Sequence, residues 1–110
     1  MDRQLLTDFE LMILLAVLRL RDEAYAVRIG GEIEATAGRP VLLPAVYAAL
    51  ERLERNGLLA SSMGQPTPER GGRAKRYFRV TASGLRAVKD TQRALVALWS
   101  DVPELERRRS

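Results

Sequence analysis

A chain of 110 residues with 46% apolar content can build one domain with a modest core, and a core this small commonly leans on a partner chain. It contains no cysteine and no histidine, which removes disulfides, thiolate metal sites, the thiolate nucleophile and the commonest general base. A formal charge of +4 and a pI near 10.1 favour a polyanionic partner, although that balance is also common among proteins that bind nothing charged.

The first helix opens at Thr7 and Glu10, which stand at capping-box spacing, with Leu6 and Leu11 placed for a hydrophobic staple. Phe9, Met12, Ile13, Ala16, Val17 and Leu20 trace one apolar stripe along it, and Leu11, Leu14, Leu15 and Leu18 trace a second, so the helix is expected to be covered on two sides. A second helix over about residues 24–37 carries Tyr25, Ile29 and Ile33 on one face and stops at Gly38, ahead of Pro40. Gly30 and Gly31 interrupt it without an evident purpose.

The third helix starts near Pro44, acceptable in a first turn where the missing N–H has no partner, and ends at Asn56-Gly57. Val46, Leu50 and Leu53 form its core face. The opposite face is read as Ala45, Ala48, Ala49, Arg52, Arg55 and Asn56, a mixture of small side chains that allow close approach and long donors that reach base edges or phosphates. Tyr47 falls on the border between the two faces, as a core-edge ring or a phosphate contact. Next, "LLASSM" (58–63) and "AKRYFRV" (74–80) alternate as two strands of a hairpin, and the connection between them is glycine- and proline-rich. Gly71 and Gly72 let its tip bend, while Arg70, Arg73, Lys75, Arg76 and Arg79 make it a cationic arm. A charge run by itself is usually a solvated surface. Three helices followed directly by a basic hairpin is, however, the order of a winged helix-turn-helix, with the third helix in the major groove and the wing on flanking backbone.

Thr81 caps a last helix over about residues 82–99. Leu85, Val88, Gln92, Leu95 and Trp99 recur along it as a heptad-like seam that no remaining element needs to cover, and this reads as a pairing surface together with Leu11, Leu15 and Leu18 of the first helix. Gln92 is placed to fix the register. Trp99 is also a candidate for lining a cavity that takes a small, flat aromatic effector. The expected architecture is mainly α with a small β-hairpin: a winged helix-turn-helix domain over residues 1–80, a dimerisation helix over 81–100 packed on it, and a disordered tail over 101–110.

Catalysis is not expected. Ser61, Ser62 and Ser83 lack an evident base, and Glu51 and Glu54 beside Arg52 and Arg55 read as solvated ion pairs. No cofactor is implied. The longest apolar run, "LMILLAVL" (11–18), is far shorter than the roughly 20 residues of a membrane span. The N-terminus has no signal-peptide pattern, so a cytoplasmic protein is expected.

The segments "AYAVRIGGEIEATAGR", "AVYAALERLERNGLL" and above all "PTPERGGRAKRYFRVTASG" resemble the short class of PadR-like transcriptional regulators, from about Leu5 to Trp99. The resemblance implies a homodimeric bacterial protein that binds double-stranded DNA, usually as a repressor, its last helix pairing with the partner's first and last helices. It places DNA contacts at Tyr47, Arg52, Arg70, Gly71, Gly72, Arg73, Lys75, Arg76 and Tyr77; the face pattern adds Arg55. The helix expected in the groove spans about 44–56 and the wing about 64–76. Leu42 and Leu43 stand where such proteins place a serine, and Gly30-Gly31 where longer polar side chains are usual. The competing class is a dimeric protein-interaction module that binds no specific DNA.

Overall fold

The computed structural model describes residues 5–65 and 74–106. Helix α1 (Asp8–Leu20) begins with both halves of the capping box closed: the Thr7 hydroxyl accepts from the Glu10 amide at 3.2 Å, and Glu10 Oε1 accepts from the Thr7 amide at 3.0 Å. A 3-10 turn (Arg21–Glu23) leads to α2 (Ala26–Ala37), which starts two residues later than expected. The reason is tertiary, because the carbonyl of buried Ala24 accepts a hydrogen bond from the Phe78 amide at 2.8 Å and so pairs with the hairpin instead of joining the helix. Gly38 closes α2 at φ 70°, its amide donating to the Glu34 carbonyl, a left-handed cap that suits glycine.

Nothing in the packing requires a glycine at position 30 or 31. A methyl at Gly30 would rest 3.6 Å from Val46 Cγ2, and one at Gly31 would meet open space.

Helix α3 (Leu43–Arg55) packs Val46, Ala49, Leu50 and Leu53 inward at i, i+3, i+4 and i+7 spacing. It ends at Asn56 in a Schellman motif, with the Leu58 amide donating to the Leu53 carbonyl and the Gly57 amide to that of Glu54. Its start has no such closure. Leu42 occupies the N-cap with extended backbone, offers no side-chain acceptor, and is 77% exposed. Leu42→Ser is therefore expected to stabilise the fold by about 0.5–2 kcal/mol, the usual worth of a hydroxyl cap. Urea unfolding of the two proteins measures the difference directly.

Strands β1 (Leu59–Met63) and β2 (Arg76–Val80) form an antiparallel ladder in which Leu59 faces Val80 and Met63 faces Arg76. The expected second strand begins at Ala74; beyond β2, among the described residues, the Gly64 amide donates to the Lys75 carbonyl at 2.7 Å. Helix α4 (Ala82–Trp99) is capped by the Thr81 hydroxyl, which accepts from the Gly84 amide and donates to the Gly57 carbonyl. Its buried face is Gly84, Ala87, Val88 and Thr91, and the Thr91 hydroxyl accepts from the Leu6 amide at 3.0 Å, fastening α4 to the entry of α1. A 3-10 turn at Pro103–Leu105 lies in the stretch expected to be disordered. Ile13, Leu14, Ile29, Val46, Leu50 and Leu53 are the fully buried centre, and Leu59 and Phe78 of the hairpin and Ala87 and Val88 of α4 belong to the same core. Among the described residues no helix is long and apolar enough to cross a membrane.

Candidate nucleic-acid interface

With Val46, Ala49, Leu50 and Leu53 turned inward, the outward strip of α3 is Pro44, Tyr47, Ala48, Glu51 and Arg55, all exposed. This strip is rotated from the expected one. Ala49, expected on the open face, is 1% exposed, because the core stripe needs a small residue between Val46 and Leu53 and an alanine satisfies either face. Tyr47, at the border in the sequence reading, is 52% exposed and belongs to the open strip.

Both edges of α3 are fastened to neighbouring elements by charged groups. On one edge Arg52 Nε donates to Glu10 Oε2 at 3.1 Å. Glu10 thus accepts from the start of its own helix through one oxygen and from α3 through the other. Burial pushes its carboxyl upward, but the Thr7 amide, the Arg52 guanidinium and the Thr7 hydroxyl together hold it below the ordinary carboxylate value. On the other edge the Ser61 hydroxyl donates to Glu54 Oε2 at 2.6 Å and accepts from Arg76 Nε at 3.1 Å, while Arg76 Nη2 stands 4.0 Å from Glu54 Oε1. The sequence pattern pairs Glu54 with the arginines of its own helix in solvent. Its partners instead lie on the hairpin, and only the tertiary fold brings them together.

The hairpin lies beside this helix. The Lys75 ammonium sits 5.1 Å from the centroid of Tyr25, whose ring meets Tyr77 edge-on at 5.6 Å. Gly64 makes room for that arrangement, since a methyl there would come 2.6 Å from the Tyr77 ring. Arg79 alternates with Arg76 along β2 and therefore leaves by the opposite face of the hairpin. Between the outward strip of α3 and the hairpin runs a cleft of about 500 Å³, lined among others by Tyr25, Tyr47, Glu51, Glu54, Lys75 and Phe78. Arg70, Gly71, Gly72 and Arg73 lie outside the described residues. Among the described residues no group of three or more acidic, cysteine or histidine side chains could hold a metal ion.

A second surface lies along α4 and α1. Leu85, Leu95 and Trp99 of α4 are 40–61% exposed and Gln92 is exposed on the same helix; on α1, Leu15 and Leu18 are 41% and 38% exposed, with Leu15 bordering a groove shared with Ile33 and Thr36 of α2. Val88 is already covered by its own chain at 8% exposure, and Leu11 is half-buried against the core. The sequence reading passed over Val96 and Leu98, which are 55% and 75% exposed. Their signal was the unbroken apolar run "ALVALW" (94–99), of which a seven-residue template takes only two positions.

Residues 14–90 match the model of the transcriptional regulator PadR-like family. Similar solved structures include a PadR family transcriptional regulator from Eggerthella lenta, 29% identical, covering 86% of this chain and 80% of that one at a TM-score of 0.66. A transcriptional regulator from Clostridium thermocellum, 21% identical, covers 89% of both chains at 0.71. A PadR-like regulator from Bacillus cereus, 16% identical, covers 92% of this chain and 93% of that one, also at 0.71. A search of the curated proteins finds no match.

Proposed function

The chain belongs to the PadR-like family of transcriptional regulators, and from that premise we propose that it is a homodimeric repressor acting in the cytoplasm, with α3 in the major groove and the hairpin on the flanking backbone or minor groove. Residues 1–80 then serve as the winged DNA-binding part and residues 81–100 as the pairing helix. The observation that carries this reading is the outward strip of α3. Pro44, Ala48 and the small side chain of Ala45 let the helix approach a duplex closely, and Tyr47 and Arg55 extend from the same exposed surface. Arg55, in the last turn and exposed, is the base reader in this account, and Tyr47 contacts the backbone. Arg52 braces the helix from its edge. Lys75 and the wing residues Arg70 and Arg73 supply the phosphate-facing charge, with Gly71 and Gly72 between the two arginines. Two copies joined through Leu15, Leu18, Leu85, Leu95 and Trp99 would present two reading helices, and the exposed indole of Trp99 is the proposed stacking surface for a flat aromatic effector.

The test compares Arg55→Ala with Lys75→Ala on a duplex selected by the protein and on its scrambled counterpart. Arg55→Ala is expected to lose about 1–3 kcal/mol on the selected duplex alone, the worth of one bidentate base contact. Lys75→Ala is expected to weaken both duplexes alike and to lower the slope of log affinity against log salt by about 0.9. Equal losses on both duplexes for Arg55→Ala would remove it from base reading. A wild-type chain that pairs but binds neither duplex at low salt would instead favour a protein-interaction module.

A further inference from the structure

We infer that Glu54, Ser61 and Arg76 form one positioning device that sets the angle between the reading helix and the wing, and that Arg76 works there instead of on a DNA phosphate. The inference rests on the DNA-binding reading above and names residues that hold its two halves in register. The three groups close a ring across three elements: Glu54 on α3, Ser61 on β1 and Arg76 on β2, with contacts of 2.6, 3.1 and 4.0 Å. Ser61 and Arg76 lie on the same face of the hairpin, Ser61 opposite Phe78 and Arg76 opposite Met63, so the ladder itself delivers both to α3. Among the described residues this ring holds the only side-chain hydrogen bond between α3 and either strand, donated by Ser61 to Glu54.

Charge gives the second argument. A carboxylate near a phosphate backbone is repelled by it, and Glu54, unlike exposed Glu51 on the outward strip, has its charge met by partners on the hairpin. Here its oxygens accept a short bond from Ser61 and face the guanidinium of Arg76 at the exposed edge of the hairpin, so the two charges offset each other. The Ser61 hydroxyl is committed in both directions, as donor to Glu54 and acceptor from Arg76, which fixes its rotor. Arg52 and Glu10 brace the opposite edge of α3, so the helix is fixed on one side to α1 and on the other to the wing.

The experiment titrates wild type, Glu54→Gln, Ser61→Ala, Ser61→Thr, Arg76→Gln and the Glu54→Gln/Arg76→Gln double variant with a duplex selected by the wild type and with its scrambled counterpart, over a salt series. Glu54→Gln and Ser61→Ala are expected to weaken the selected duplex roughly tenfold, the scale of one charge-assisted hydrogen bond, without weakening the scrambled one. Ser61→Thr, which keeps the hydroxyl, restores wild-type affinity. Arg76→Gln gives a similar loss with an unchanged salt slope, and the double variant binds no worse than either single, as members of one unit do. The inference is overturned if Glu54→Gln tightens both duplexes alike, the result of removing a merely repulsive carboxylate. It is equally overturned if Arg76→Gln lowers the salt slope by about 0.9, the signature of a lost phosphate contact. Should the wild type bind no duplex, the DNA reading fails on its own, and amide exchange of the unbound protein still judges the ring. Faster exchange at residues 61–63 and 76–78 in Glu54→Gln than in wild type, with α1 unchanged, upholds it; identical patterns overturn it.

Discussion

Gly84→Ala is expected to destabilise the chain by about 3 kcal/mol and to lower its melting temperature by roughly 10 °C or more. The helical backbone of α4 lies against the hairpin base at this residue. A methyl added there would overlap the Leu58 carbonyl oxygen and stand 2.8 Å from Val80 Cγ1. The first of those neighbours is backbone and cannot rotate away. It is also in use, because the Leu58 carbonyl accepts from the Thr81 amide, while the Gly84 amide donates to the Thr81 hydroxyl that caps α4. Relieving the overlap means moving α4 outward, which would break the cap and loosen Ala87 and Val88 from the core together. The helix-propensity gain of alanine over glycine, about 1 kcal/mol, is too small to offset this. Thermal and urea melts decide the matter, and a Gly84→Ala protein as stable as wild type would contradict the close approach of α4 to the hairpin base.

Trp99→Glu and Leu95→Glu are expected to convert a dimer of twice 12.3 kDa into a single chain of 12.3 kDa, with helix content retained. Both residues are exposed in the single chain, at 61% and 47%, and lie on the half of α4 beyond Thr91, where no residue is buried. A carboxylate placed in an apolar seam between two copies would be desolvated without a partner, at a cost of several kcal/mol. Loss of pairing should also reduce affinity for a two-half-site duplex by about 10²–10⁴-fold, since the second reading helix is no longer tethered to the first. Light scattering at micromolar concentration gives the mass. Wild type already at 12.3 kDa, or variants still at twice that mass, would contradict the proposed pairing surface.

Local signals carried most of the fold. Thr7 with Glu10, Gly38, Asn56-Gly57 and Thr81 act within a few residues of themselves, so their spacing alone announces where helices begin and end, and all four do so here. The site was less legible because its decisive contacts are distant in sequence. Arg52 and Glu10 are 42 positions apart and Arg76 and Ser61 are 15 apart, and nothing in either neighbourhood names the other. The same holds for the Ala24 carbonyl that accepts from Phe78 and shortens α2, and for the close approach that requires Gly84. Ala49 was misplaced for a different reason: a methyl is small enough to line a core crossing or to allow close approach to a ligand, and only the burial pattern distinguishes the two.

Selecting bound fragments from sheared genomic DNA, at low and at moderate salt, tests the central claim most directly. A short motif with two-fold symmetry is expected to be enriched, its half-sites about one helical turn apart, and retention of unrelated fragments is expected to disappear as salt rises. Fragments retained without any common motif, or no retention even at low salt by a protein shown to be dimeric, would contradict it.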